Sequence, residues 1–343
     1  MTSSVLIIYT GGTIGMKEDP MDGTLKPFDF SQIMEEVPEL NKFDVKLDSY
    51  TFDPLIDSSD VEPSLWIALA TLIRDRYEEY DGFVILHGTD TMAYSASTLS
   101  FMLEGLTKPV VFTGSQLPIG VPRTDGKENL ISAVEIAAAK DAEGRARVPE
   151  VTIFFDSQLL RGNRATKYSA EAFNAFATPD CPPLAEAGIN IRYNTDIIRK
   201  PIYWDAQLRA QTHLDTRVAI LKVHPGMTPQ IMRSVVADPL TRACIIETYG
   251  SGNALSKSWF LDLLKEAADA GKILLNVTQC KAGTVNMDLY ATGASLKHVG
   301  VLSGADITTE AALGKLFSLM GRSENNKWVK TMLEKDLCGE ISK

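Results

Sequence analysis

Five consecutive apolar residues, Val5 to Tyr9, run straight into Thr10-Gly11-Gly12-Thr13-Ile14-Gly15, and Gly82 to Leu86 leads in the same way into His87-Gly88-Thr89-Asp90-Thr91. Short apolar runs bounded by turn residues read as strands buried on both faces. Between such runs the apolar positions recur at helical spacing. Ala96, Leu99, Met102, Leu103 and Leu106 mark a helix over Met92 to Leu106, and Leu130, Ile131, Val134, Ile136 and Ala137 mark one over Lys127 to Lys140. Strands are expected at Val110 to Thr113 and Val151 to Phe155. A further helix is expected from Pro63, where Trp66, Leu69, Ala70 and Ile73 form a stripe behind a proline suited to a first turn. Asp57 to Asp60 reads as a loop, and Ser59-x-x-Glu62 as a capping box in front of that helix. This alternation is the punctuation of an α/β fold.

Beyond about residue 180 the periodicity weakens through Pro179, Pro182, Pro183, Asn190, Asn194 and Pro201. It resumes with strands at Val218 to Val223, Ala243 to Glu247 and Ile273 to Val277, and with a helix over Ser258 to Ala270 stopped by Gly271. An N-terminal domain over 1–195, a linker over 196–216 and a smaller parallel α/β domain over 217–343 follow. A chain of 343 residues exceeds what one hydrophobic core ordinarily spans, which agrees with two domains.

Composition narrows the choice of partner. Apolar residues make up 45% and no run approaches the ~20 residues of a membrane span, so no membrane partner is expected. The formal charge is −10 without a basic block, which gives a phosphate backbone nothing to follow, so no nucleic acid is expected either. Cys181, Cys244, Cys280 and Cys338 are scattered and form no Cys-x-x-Cys pair, as suits reduced thiols in a cytoplasm. The four histidines match no metal-ligand spacing, so no metal is expected. The N-terminus lacks the basic and long apolar regions of a signal peptide, so Val5 to Tyr9 is read as mature structure.

The first glycine turn is not a dinucleotide fingerprint. Thr10 stands at its first glycine position, and Lys17 to Gly23 reads as a polar, breaker-rich loop where a helix would have to begin. What the strand-end loops carry instead is hydroxyls and carboxylates: Thr13, then Asp57 with Ser58, then Thr89 with Asp90. Each has an ordinary explanation, Thr13 as a turn hydroxyl and Asp90 as a cap of the helix at Met92. Their convergence on the ligand-binding edge of one sheet is what those explanations leave out. A threonine hydroxyl needs a nearby base to act as a nucleophile. Lys167 could serve if burial depressed its pKa, a shift that an adjacent Asp90 would oppose.

Taken in order, Thr-Gly-Gly-Thr-Ile-Gly at 10–15, Asp-Ser-Ser-Asp at 57–60, His-Gly-Thr-Asp-Thr-Met at 87–92, Thr-Gly-Ser-Gln at 113–116 and Arg-Gly-Asn-Arg-Ala-Thr-Lys at 161–167 resemble the bacterial-type L-asparaginases, most closely the cytoplasmic type I branch. The resemblance runs over nearly the whole chain. It implies a larger N-terminal domain with a mixed, mostly parallel sheet flanked by helices. It also implies hydrolysis of L-asparagine to L-aspartate and ammonia, without a cofactor, through a β-acyl intermediate on Thr13. Thr89, Asp90 and Lys167 match the second catalytic group. Gly12, Asp57, Ser58, Ser59, Gly88 and Ser115 match the substrate pocket, and Asn253 matches a contact supplied by the partner of a homodimer, itself often paired into a tetramer. Two departures stand out. Relatives carry a tyrosine on the loop after the nucleophile, where this chain reads Asp22-Gly23-Thr24-Leu25-Lys26-Pro27, so no residue is singled out to take the Thr13 proton. Some type I relatives bind a second asparagine at a regulatory site. Thr166 and Cys280 match parts of it, but Glu247 stands where an arginine would hold a carboxylate, which predicts weak or absent activation. Broader glutaminase activity and a non-catalytic asparagine sensor are the competing readings. An amidotransferase subunit of the same superfamily would carry a domain before the nucleophile, for which Thr13 leaves no room.

Overall fold

A computed structural model describes residues 2–18, 25–27 and 36–342, and the chain divides into two compact units, one through Thr212 and one from His213. In the first unit, strands β1 (Ser3–Tyr9), β2 (Val45–Thr51), β3 (Gly82–Leu86), β4 (Val110–Thr113), β5 (Val151–Phe155), β6 (Gln158–Arg161), β7 (Ala185–Ala187) and β8 (Ile191–Tyr193) form one sheet. Their order across it is β8-β7-β6-β5-β4-β3-β1-β2. Pairing is parallel from β2 through β5 and antiparallel from β5 to β8, the mixed and mostly parallel arrangement expected. Helices α1 (Pro63–Asp75), α2 (Met92–Met102) and α3 (Gly126–Ala138) cover it. Val5, Ile7, Val84, Leu86 and Val111 meet Leu130, Val134 and Ala137 of α3 in one buried cluster, and the alternating Leu6, Ile8, Phe83 and Ile85 are buried too, which is why the strand runs read as continuously apolar.

In the second unit, β9 (Val218–Lys222), β10 (Ala243–Thr248), β11 (Ile273–Thr278) and β12 (Leu302–Ser303) form a parallel four-stranded sheet. It is accompanied by α4 (Pro229–Val236), α5 (Ser258–Asp269), α6 (Ala291–His298), α7 (Thr309–Arg322) and α8 (Asn326–Leu333). Gly271 follows α5 with φ 89°, the left-handed stop its position predicts.

Several local expectations are corrected. The helix from Met92 ends at Met102, because Leu103 and Glu104 turn extended to pair with Arg209 and Ala210, and Gly105 then takes φ 77°. Asp57 to Asp60 is a 3-10 turn over Ser58–Asp60, and the cap of α1 is Glu62 without a side-chain bond, so the capping box does not form. Met16–Glu18 is a strand paired with Leu25–Pro27, where a loop was expected; residues 19–24 lie outside the described residues. The weakly patterned stretch after residue 180 holds β7 and β8, three-residue strands too short to show a period.

Candidate active site

The site is built where β1 and β3 end side by side. Thr10 donates both its N–H (3.0 Å) and its hydroxyl (2.9 Å) to the Leu86 carbonyl, so the two glycine turns leave the sheet together. They then pack backbone to backbone. A Cβ on Gly12 would stand 2.4 Å from the Gly88 nitrogen, and one on Gly88 would stand 2.5 Å from Ser58 Oγ. Only glycine permits both approaches, Gly12 doing so at φ 93°. Thr13 and Thr89, each directly after one of these glycines, are thereby carried to the same edge, both half-buried. Tyr9 lies fully buried beneath the first turn, its ring filling the space that a side chain at Gly15 would need. Burial raises the Tyr9 phenol far above its ordinary value, so it is no base at neutral pH.

Lys167 enters from the two-residue strand Thr166–Lys167, which is paired with Phe176–Ala177. Its Nζ donates to Thr89 Oγ1 at 2.9 Å and to Asp90 Oδ1 at 2.6 Å. The Thr89 hydroxyl, receiving that bond, directs its own hydrogen toward Gln116 Oε1 at 3.4 Å. The helix that Asp90 was expected to cap begins instead behind Thr91, which leaves the exposed Asp90 carboxylate to Lys167 and to solvent. Ser58 is buried; its hydroxyl accepts from the Asp90 N–H at 3.3 Å and its carbonyl accepts from the Thr91 hydroxyl at 2.6 Å. As an acceptor in the first of these, the Ser58 hydroxyl keeps its own hydrogen available for donation.

Other predicted residues have different surroundings. The exposed Asp57 carboxylate accepts from Ser59 N (2.9 Å) and Ser59 Oγ (2.8 Å), and these bonds hold its pKa below the usual carboxylate range. Ser115 is buried and donates to the Leu117 carbonyl. Thr166 is buried, while Cys280, in the second unit, is exposed. Also in the second unit, Asn253 closes a turn with Tyr249 through two backbone bonds of 2.8 Å and accepts from Thr292 Oγ1 at 2.6 Å. Glu247 on β10 accepts from Thr309 Oγ1 at 2.8 Å and lies 3.7 Å from Lys222 Nζ. Asp22 to Thr24, on the loop lacking the tyrosine, lie outside the described residues.

Gln116 was not among the expected site residues. Its Nε2 donates to the Ala172 carbonyl, and its backbone N–H, like that of Leu117, donates to Asp125, so the amide oxygen is held toward Thr89. Its place directly after Ser115 at the end of β4 was the available signal.

The geometry is matched by relationship. The description "Asparaginase, N-terminal" matches residues 4–199, and "Glutaminase/Asparaginase C-terminal domain" matches residues 217–333. The chain belongs to the asparaginase family. It is 42% identical to L-asparaginase 1 of Escherichia coli over 347 aligned residues, covering 99% of this chain and 98% of that one. Its fold superposes on L-asparaginase I of Vibrio cholerae with a TM-score of 0.89 at 39% identity, covering 100% of both chains. The thermostable L-asparaginase of Thermococcus kodakarensis also gives 0.89, at 29% identity over 99% of each chain. Both asparaginase modules are thus present, with a type I protein among the structural neighbours.

Proposed function

We propose that this asparaginase-family chain hydrolyses L-asparagine to L-aspartate and ammonia, with Thr13 as nucleophile. The observation that carries the proposal is Lys167 Nζ within hydrogen-bond reach of both Thr89 Oγ1 and Asp90 Oδ1, on the loop that packs against the Thr13 turn. Asp90 and Lys167 polarise the Thr89 end of the site, while the Ser58 hydroxyl and nearby backbone N–H groups receive the substrate α-carboxylate and Asp90 pairs with its α-ammonium. Gly12, Asp57, Ser59, Gly88 and Ser115 shape this pocket. Thr13 Oγ attacks the side-chain amide carbon, the C–N bond breaks, and the hydroxyl proton leaves with ammonia. Water then attacks the acyl ester, releasing aspartate and restoring the hydroxyl. Backbone donors around Thr89 stabilise the tetrahedral oxygen in both steps.

The active unit in this reading is a cytoplasmic homodimer, with Asn253 contributed across subunits and dimers able to pair. The Thr166, Glu247 and Cys280 set would retain little affinity for a second asparagine, since Glu247 offers a negative charge to an α-carboxylate. The test is ammonia release from L-asparagine and from L-glutamine over a wide concentration range. Asparagine turnover on a hyperbolic curve, with a weaker glutamine signal, is expected. Binding without release would make the chain a sensor, comparable glutamine turnover would make it a broader amidohydrolase, and sigmoidicity relieved by Glu247→Ala would restore the regulatory site.

A further inference from the structure

His87 is fully buried directly before the Gly88-Thr89-Asp90 loop, and the proposed chemistry does not use it. Its two ring nitrogens are both engaged: Nδ1 lies 2.7 Å from the Gly88 carbonyl and Nε2 lies 3.0 Å from Ser95 Oγ, which in turn lies 2.8 Å from Trp66 Nε1. The direction of this chain follows from donor chemistry. A carbonyl only accepts, so Nδ1 must carry a hydrogen. Burial lowers the His87 pKa to about 4, so the ring is neutral and Nε2 is an acceptor. Ser95 therefore donates to Nε2 and uses an oxygen lone pair to accept from the indole N–H, which is donor only. Every hydrogen bond points one way, from α1 through α2 to the loop after β3. The ring also meets Phe112 of β4 edge to face, at a centroid distance of 5.8 Å.

The relay ends on a peptide group that matters. A trans peptide holds its N–H antiparallel to its C=O, so fixing the Gly88 carbonyl also fixes the direction of the Thr89 N–H. The opposite side of that loop is pinned by Ser58, against which Gly88 packs and to which the Asp90 N–H donates. We propose that Trp66, Ser95 and His87 form a one-way hydrogen-bond relay that aims the Thr89 backbone N–H at the tetrahedral oxygen, making His87 a positioning residue for both acyl-transfer steps. This rests on the hydrolytic reading above.

The experiment compares His87→Asn with His87→Gln in the full-length protein. Asparagine places an amide nitrogen at the Nδ1 position, keeping the bond to Gly88; glutamine reaches only the Nε2 position and loses it. His87→Asn should keep kcat within a few-fold of wild type. His87→Gln should lose roughly tenfold to a hundredfold in kcat with KM changed less than about twofold, because the donor serves the transition state rather than the bound zwitterion. Equal kcat in the two variants would overturn the relay, as would parallel losses in kcat and KM. Histidine 15N NMR of the wild type decides independently of variant folding. An Nδ1–H resonance that stays neutral down to about pH 5 supports the proposal, and an Nε2–H tautomer sinks it. Failure of the wild type itself to release ammonia would count against the hydrolytic reading, while the tautomer would still be read.

Discussion

Lys167 concentrates the chemistry of the site at the scale of single residues, since one ammonium group bridges a hydroxyl and a carboxylate. Lys167→Met should lower kcat by about 10²- to 10³-fold with the fold intact, the span ordinarily lost with one preorganised electrostatic donor. Retention of near-normal turnover would remove Lys167 from the mechanism. Thr13→Ala should abolish ammonia release, whereas Ser58→Ala should mainly raise KM. His87 makes a further residue-scale prediction, on stability. Its folded pKa of about 4 lies below the ordinary 6.5, so the unfolded chain takes up the proton first as pH falls. The neutral buried ring thus favours the fold fully above about pH 6.5, and that contribution is lost progressively toward pH 4, by about 3 kcal/mol in all. Urea unfolding at pH 7 and pH 4.5 should show a steeper loss for wild type than for His87→Asn; equal slopes would refute a buried neutral imidazole.

Secondary-structure elements set where these residues stand. The turns after β1 and β3 meet without side chains between them, so Gly88→Ala forces its new methyl against Ser58 Oγ and Cβ, at 2.5 and 2.6 Å. It should cost about 1 to 3 kcal/mol, the range of overpacking, and should lower kcat/KM with it as the Ser58 and Thr89 loops separate. Gly144→Ala is the matched control. Gly144 has φ 78° and open space around it, so only the backbone penalty of roughly 1 kcal/mol applies and activity should hold. Thermal melting with ammonia assays on both variants separates steric crowding from backbone strain. The early end of α2 is also an element-scale effect: Leu103 and Leu106 continue the helical spacing, but pairing of Leu103 and Glu104 with Arg209 and Ala210 satisfies the same backbone groups in extended form.

On the scale of the whole molecule, each unit has its own apolar cluster, and the second unit also holds a fully buried ion pair. Lys315 of α7 has no solvent exposure. Its Nζ donates to Glu340 Oε1 (2.6 Å) and to the carbonyls of Leu333 (2.8 Å) and Lys335 (2.6 Å), while Glu340 accepts from the N–H groups of Leu337 and Cys338. Lys315→Met strands the carboxylate and should destabilise by about 3 to 5 kcal/mol; adding Glu340→Gln should recover part of that. Denaturant unfolding of both variants checks this, and an unaffected midpoint for the single variant would show the pair to be dispensable.

By itself the sequence determined the α/β alternation, the glycine-turned strand ends and the hydroxyl and carboxylate residues on them. Those features are local: an apolar run buries both faces of a strand, and a glycine pair after it permits the tight turn and close backbone approach that other residues would block. The mixed sheet and the pairing of Thr89 with Lys167 came with the family resemblance, because parallel and antiparallel neighbours leave the same apolar run. What only the tertiary structure decided are relations between distant segments. Trp66, Ser95 and His87 look like three separate core residues until α1 and α2 pack beside β3, and Gln116 acquires its role only through Asp125 and Ala172. Hydrogen-bond direction and steric exclusion depend on atoms a few ångströms apart in space but tens of residues apart in sequence, and no spacing along the chain encodes that distance.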